Sequence, residues 1–167
     1  MTSYRIDPDA SDVLIHARST VHPIEGRATA IGGTLDVDIA DGQVTALRSA
    51  RIEVPVRSLR SGNPLEDAEL QRRVEARLFP TIAGEVHSAT ALGDGRFHVE
   101  GQLTFHGVTE VVAGEVRITA DGDRVRVEGE QVFDVRRFGI KPPRILLLRV
   151  EPDVRVEIAV AAEPLPL

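Results

Sequence analysis

Five histidines, His16, His22, His87, His98 and His106, are the side chains best suited to hold a transition metal in a chain that has no cysteine. None of them pairs with another at the i, i+2 or i, i+4 spacing that puts two ligands on one face of a strand or helix. Folding 82–92 onto 96–105 about Gly93–Gly95 sets His98 beside Thr90 rather than opposite His87. The five therefore read as solvated surface groups, and no metal is expected. Asp67 and Glu69 with Arg72 and Arg73 form the densest charge cluster, but charges so spaced on a helix are ordinarily its wet face. Serine and histidine occur without a nucleophile-elbow pattern, and there is no glycine-rich phosphate loop. With thiolate chemistry also absent, no catalytic residue is expected and the chain reads as a binding protein, not an enzyme. Arg136 and Arg137 beside Phe138 suit either contact with a ligand head group or a salt-bridged corner. Arg18 and His22 are further candidates for polar contacts at a mouth.

The elements that must position these groups are mostly strands. In 96–106, Phe97, Val99, Leu103 and Phe105 share one face, while Arg96, His98, Glu100, Gln102 and Thr104 share the other, the period of two of a half-buried strand. The same alternation runs through Leu35, Val37 and Ile39, through Ile52, Val54 and Val56, through Val116 and Ile118, through Val125 and Val127, and through Val154, Val156, Ile158 and Val160. Asp41-Gly42, Gly93-Asp94-Gly95 and Asp121-Gly122-Asp123 supply hairpin turns, so neighbouring strands should be antiparallel. Strands are predicted at 12–18, 28–39, 46–56, 82–92, 96–105, 111–119, 124–134 and 150–162. About eight such strands are read as a barrel in preference to a sandwich, a choice that the pattern alone does not settle; a closed barrel of this size has an interior that side chains fill or that takes one small ligand. One helix interrupts the pattern. Asn63 as cap, Pro64 at the first position and acids in the first turn start it, and Leu70, Val74 and Leu78 form its apolar stripe, predicting a helix over 64–77 that covers one mouth. Lys141-Pro142-Pro143 is predicted as a loop, and Ile145 to Leu148 as a buried turn or part of the second mouth.

Inside the barrel, the predicted lining is Phe97, Val99, Leu103, Phe105, Val116, Ile118, Val127, Val156 and Ile158. Gly101, Gly114 and Gly129 fall on or beside the same register. If they face inward they leave a lane free of side chains that suits a linear hydrocarbon; otherwise they relieve curvature or mark bulges.

Totals narrow the classes further. A chain of 167 residues suits a single domain over 1–167. Its apolar content is aliphatic, with five Phe, one Tyr and no Trp, so recognition by base stacking has little to work with. The net charge is −6 and the basic residues form no stripe along the sequence, which argues against nucleic acid and against an acidic lipid surface as partner. Residues 1–12 lack the basic start and apolar run of a secretory signal, and no run reaches the ~20 apolar residues of a membrane helix. A cytoplasmic protein without an integral membrane segment is expected.

Several segments together resemble the YceI-like family of lipocalin-like, polyisoprenoid-binding proteins over nearly the whole chain. They are Tyr4-Arg5-Ile6-Asp7 with Ser11, Gly33-Thr34-Leu35, Glu66-Asp67-Ala68-Glu69-Leu70, Phe79-Pro80-Thr81-Ile82, Arg137-Phe138-Gly139-Ile140 and the most specific stretch, Gly101-Gln102-Leu103-Thr104-Phe105-His106-Gly107-Val108-Thr109. Two stretches depart from the family pattern: Leu14 to Arg18 stands where many relatives carry Val-x-His, and Glu66 to Leu70 where Arg-Asp-x-His-Leu is usual. The resemblance implies an all-β, lipocalin-like barrel with a long apolar channel, an isoprenoid chain or isoprenoid quinone as ligand, and frequent homodimers. The expected function is to carry or sequester such a lipid, with no cofactor beyond it. The alternatives are a ligand-free barrel acting as an interaction or stress-response module, and a small-molecule enzyme using the cavity.

Overall fold

The computed structural model describes residues 1–142, 144–145 and 148–166. Alternating apolar and polar residues form strands β1 (Thr2–Ile6), β2 (Asp12–Ser19), β3 (Ile24–Ala28), β4 (Gly32–Ala40), β5 (Gln43–Pro55) and β6 (Leu59–Arg60). After helix α1 (Pro64–Arg73) come β7 (Thr81–Gly93), β8 (Arg96–Phe105), β9 (Val108–Asp121), β10 (Arg124–Asp134), β11 (Arg144–Ile145) and β12 (Leu148–Pro164). The antiparallel order β1-β4-β5-β7-β8-β9-β10-β12 returns to β1, so eight strands close a ring. The predicted all-β barrel with one helix is what forms.

Two predicted strands turn out differently. The one expected over 28–39 begins only at Gly32 as β4, residue 28 ending the separate and unpredicted β3, and the one expected from residue 12 is preceded by β1. The divisions let each wall bend: β12 pairs with β1 through Ile6↔Ala162 at one end and with β2 through Ile15↔Val156 at the other. In the same way β4 pairs with β1 and β5, while β3 pairs with β2 and β6. The run from Ile145 to Leu148 lies partly outside the described residues. His98 does pair with Thr90 across β7 and β8.

α1 is capped as its sequence dictates, with Asn63 Oδ1 accepting from the amides of Leu65 (3.0 Å) and Glu66 (3.3 Å). It is four residues shorter than predicted. Glu75 takes a left-handed φ of 51°, and its carbonyl accepts from the amides of Leu78 and Phe79, which turns the chain toward β7 before the stripe reaches Leu78. Among the described residues no helix is long and apolar enough to cross a membrane.

The two ends of the barrel differ. At the end bearing the turns Asp41-Gly42 and Gly122-Asp123, Val37, Phe97, Ile118, Val125 and Val160 interdigitate in a filled core. At the other end the wall parts, because pairing of β9 with β10 stops at Val116↔Gly129. Beyond that point β9 pairs only with β8 and β10 only with β12.

Candidate ligand cavity

Above the filled core the barrel encloses a cavity of about 450 Å³. Its walls come from inward positions of several strands: Val13, Ile15 and Ala17 of β2; Ala50, Ile52 and Val54 of β5; Ile82, Gly84 and Val86 of β7. Carboxylates adjoining it on the strands turn outward, where Glu85 pairs with Arg51, Glu115 with Arg96 and Glu130 with Arg155. The interior is therefore aliphatic.

Most predicted lining residues reach this space: Val99, Gly101, Leu103 and Phe105 from β8, Gly114 and Val116 from β9, Gly129 from β10, and Val156 and Ile158 from β12. Three sit below it instead. Phe97 is 2 % exposed and Ile118 1 %, both locked in the filled core, and Val127 packs against that core without reaching the cavity. Facing inward is thus not sufficient, because the lower barrel is narrow enough for its own side chains to fill.

The three glycines differ in role. A Cβ on Gly129 would come 3.0 Å from Val116 Cγ1 and 3.7 Å from Ile158 Cγ1, so its absence keeps room between two lining side chains. A Cβ on Gly114 would meet the Gln131 carboxamide oxygen at 3.2 Å. On Gly101 it would strike the Glu85 carbonyl oxygen at 1.9 Å. Gly101 pairs with Val86 beside a register shift, so this glycine serves a bulge where backbone approaches backbone; the expected side-chain-free lane is not its reason. Gly84 went unnoticed in the sequence, yet it lines the cavity and its nearest obstacle, Leu103 Cδ1, is 3.8 Å away.

α1 covers part of the mouth, turning Leu70 inward with Val74 just beyond its last turn. Gln71 Nε2 donates to the Val56 carbonyl at 2.9 Å, and Asp67 accepts from both the amide and hydroxyl of Ser61 at 2.8 Å, which ties the helix to the rim. Phe138 and Ile140 close the opposite side, with Phe138 6.0 Å from Phe105 between ring centroids. Of the candidates for polar mouth contacts, only Phe138 lines the cavity. Arg137 is bound to Glu110 at 3.2 Å and Arg136 to Asp134 at 2.8 Å, so that corner is salt-bridged. Arg18 and His22 are exposed outside it, and His22 Nδ1 lies 2.9 Å from the Pro23 carbonyl.

His106 corrects the reading of all five histidines as solvated. Its side chain is 15 % exposed, with Nδ1 3.0 Å from the Phe138 carbonyl and Nε2 2.7 Å from the Glu75 carboxylate. It stands edge-on to Phe79 at 5.1 Å and occupies, with Gly107, a two-residue turn in which both φ values are positive. This residue joins the helix end, the β8–β9 turn and the Phe138 corner. The signal for it was the His-Gly dipeptide directly after an alternating strand. His16 is the other partly buried histidine, held on the outer face between Glu25 and Glu157.

Every carboxyl with a displaced acidity lies away from the cavity. Hydroxyls of Ser3 and Ser49 hold Asp36 below its ordinary range, Arg48 does so for Asp38, Arg72 and Arg73 for Glu69, and Arg136 for Asp134. Among the described residues no group of three or more His, Asp or Glu side chains stands close enough to hold a metal ion. What this arrangement does physically is exclude water from an aliphatic space that is open at one end.

The sequence matches the family described as YceI-like domain over residues 4–162. No curated protein matches it. Burkholderia cenocepacia BcnA superposes with a TM-score of 0.81 at 18 % identity, covering 93 % of this chain and 98 % of that one. A polyisoprenoid-binding domain from Saccharophagus degradans, implicated in plant cell wall breakdown, gives 0.78 at 13 % identity over 99 % and 100 %. The YceI protein of Campylobacter jejuni gives 0.72 at 15 % identity over 86 % of both chains. At these identities the structural likeness shows a shared fold.

Proposed function

The chain belongs to the YceI-like domain family, and from that premise we propose that it carries or sequesters an isoprenoid-type lipid, a polyprenyl chain or isoprenoid quinone, whose tail lies in the barrel. The observation that carries this reading is the cavity of about 450 Å³ with aliphatic walls and a filled floor. Such a space recognises apolar area and excludes water, gaining roughly 25 cal/mol per Å² of hydrocarbon surface buried. Its few aromatic side chains offer little to a planar ligand, whereas Val, Ile, Leu and Gly walls suit a branched, flexible chain. The Saccharophagus degradans relative is a polyisoprenoid-binding domain, which supports the same class of ligand. Because the strand carboxylates Glu85, Glu115 and Glu130 pair with arginines on the outer face and leave the cavity wall aliphatic, the reading is of a binding protein without catalytic chemistry or a cofactor. Cytoplasmic placement and a homodimer complete it, and cell fractionation and light scattering test them.

Mass spectrometry of an organic extract of the purified protein, together with titration by a fluorescent prenyl probe, tests the reading. A co-purifying isoprenoid or saturable probe binding is expected. Gly84→Leu should weaken probe binding by at least tenfold while the melting temperature stays within a few degrees, since its Cβ meets nothing closer than 3.8 Å and the rest of the side chain takes up cavity space. No extracted lipid together with no probe binding would favour the ligand-free interaction module.

A further inference from the structure

The rim of the open end has a charge pattern unlike the rest of the surface. Elsewhere arginines are matched across strands: Arg5 with Glu163, Arg48 with Asp38, Arg96 with Glu115, Arg124 with Asp7. Among the described residues, Arg18, Arg57, Arg60, Arg77, Lys141 and Arg149 have no carboxylate within ion-pair distance, and all six sit beside segments that frame the mouth. Among the described residues the other basic side chain without a carboxylate partner, Arg117 at the closed end, is occupied by the Asp94 carbonyl at 2.9 Å. Among the described residues, Glu66, Asp67, Glu75, Glu151 and Asp153 are acidic side chains at the mouth with no arginine or lysine partner; the six unmatched basic groups, with Arg72 and Arg73 sharing the single carboxylate of Glu69, outnumber them and leave the rim net positive.

Part of this rim is an open cleft where Arg57, Arg60, Arg72 and Arg77 meet Gln71 and Glu75. Glu75 is held by His106 and Arg72 by Glu69, which leaves Arg57, Arg60 and Arg77 without a carboxylate partner in the cleft. Arg60 is fixed by donating from Nη1 to the Leu59 carbonyl at 2.8 Å, and it lines both this cleft and the apolar cavity. Exposed apolar side chains accompany the charges: Leu78 is 70 % exposed, Val21 69 % and Leu65 55 %. Cations interleaved with exposed aliphatics match the two layers of an anionic bilayer surface, phosphate above and acyl chain below.

We propose that the open end of the barrel docks on an anionic lipid bilayer, its arginines against the phosphates and Leu65, Leu78 and Val21 in the headgroup boundary, so that the ligand passes between bilayer and cavity without crossing water. This rests on the lipid-carrier reading. The net charge of −6 and the absence of a basic stripe along the sequence argue against an acidic lipid surface, but the fold gathers these basic residues from separate segments at one end. The acidic remainder of the molecule is repelled by such a surface and turns the mouth toward it.

Flotation with vesicles tests the proposal, comparing phosphatidylcholine alone with an equal mixture of phosphatidylcholine and phosphatidylglycerol. Binding to the mixed vesicles only is expected, weakening as salt is raised. Each basic side chain near an anionic surface strengthens partition about fivefold, so Arg57→Gln/Arg77→Gln/Arg149→Gln should weaken it on the order of 100-fold. None of the three lines the apolar cavity, so prenyl-probe binding in vesicle-free solution should not change. Leu78→Asp should weaken vesicle binding at low and high salt alike. Equal binding to both vesicle types, retention of full binding by the triple variant, or binding to duplex DNA in place of vesicles would each overturn the docking face. Vesicle binding that persists while the parent protein takes up no prenyl probe would instead overturn the carrier reading and leave the docking face standing.

Discussion

The closed and open halves of the barrel are built from the same strands with the same alternation, yet one is solid and the other hollow. Below, Phe97, Ile118, Val125, Val37 and Val160 meet across a narrow interior and exclude everything else. Above, Gly84, Gly129, Ala17 and Ala50 replace bulk, β9 leaves β10, and opposite walls no longer touch. The difference teaches that an inward register gives a core only where side-chain volume matches wall separation. Where it falls short, the same aliphatic surface becomes a binding site. The surface follows a related division: among the described residues six of the seven basic side chains without a carboxylate partner lie around the mouth, and the seventh, Arg117, lies at the closed end.

Substitutions in the two halves should therefore separate. Phe97→Ala removes the largest fully buried side chain of the solid half and should cost about 3–5 kcal/mol in urea unfolding, with probe binding retained by the folded fraction. A loss of 1 kcal/mol or less would mean that this half is not well packed. Gly101→Ala drives a methyl into the Glu85 carbonyl, and a cost of about 2 kcal/mol is expected. Gly84→Ala, one strand away, should be nearly neutral, and equal costs for the two would refute the bulge as the reason for Gly101. Val156→Ala enlarges a space that is already empty, so it should cost only about 1 kcal/mol while changing probe affinity more than Phe97→Ala does.

Smallest is the acid dependence. Asp36, Asp38 and Asp134 are held below their ordinary value of 3.8, so the folded state binds protons less readily than the unfolded chain. Their contribution is present above the unfolded value and is lost as pH falls below about 4 through the lowered folded values. All three lie near the surface, so Asp36→Asn should flatten the acid limb of the melting curve only slightly. A large flattening would mean that the hydroxyls of Ser3 and Ser49 hold Asp36 more strongly than a group near the surface allows.

Much of the fold was legible. Strand alternation, the Asp-Gly turns and the Asn63-Pro64 helix start are local signals, and they specified antiparallel strands and one helix; closure of the sheet depends on the pairing of β1 with β12, which no local signal carries. Less was legible of the site. Val99, Leu103, Phe105, Val156 and Ile158 could be assigned to the interior, but the same rule assigned Phe97 and Ile118 to a cavity they help to floor. Gly84 escaped because nothing in its neighbourhood marks it, and His106 because its partners, Glu75 and Phe138, are 31 and 32 residues away.

By itself, then, the sequence determined which face of each strand turns inward, since side-chain direction follows from a backbone period of two. Tertiary structure alone decided which inward positions touch one another, which glycine meets a backbone instead of a void, and which arginines find a carboxylate. Those outcomes depend on distances between strands remote in the chain, and a one-dimensional pattern carries no measure of them.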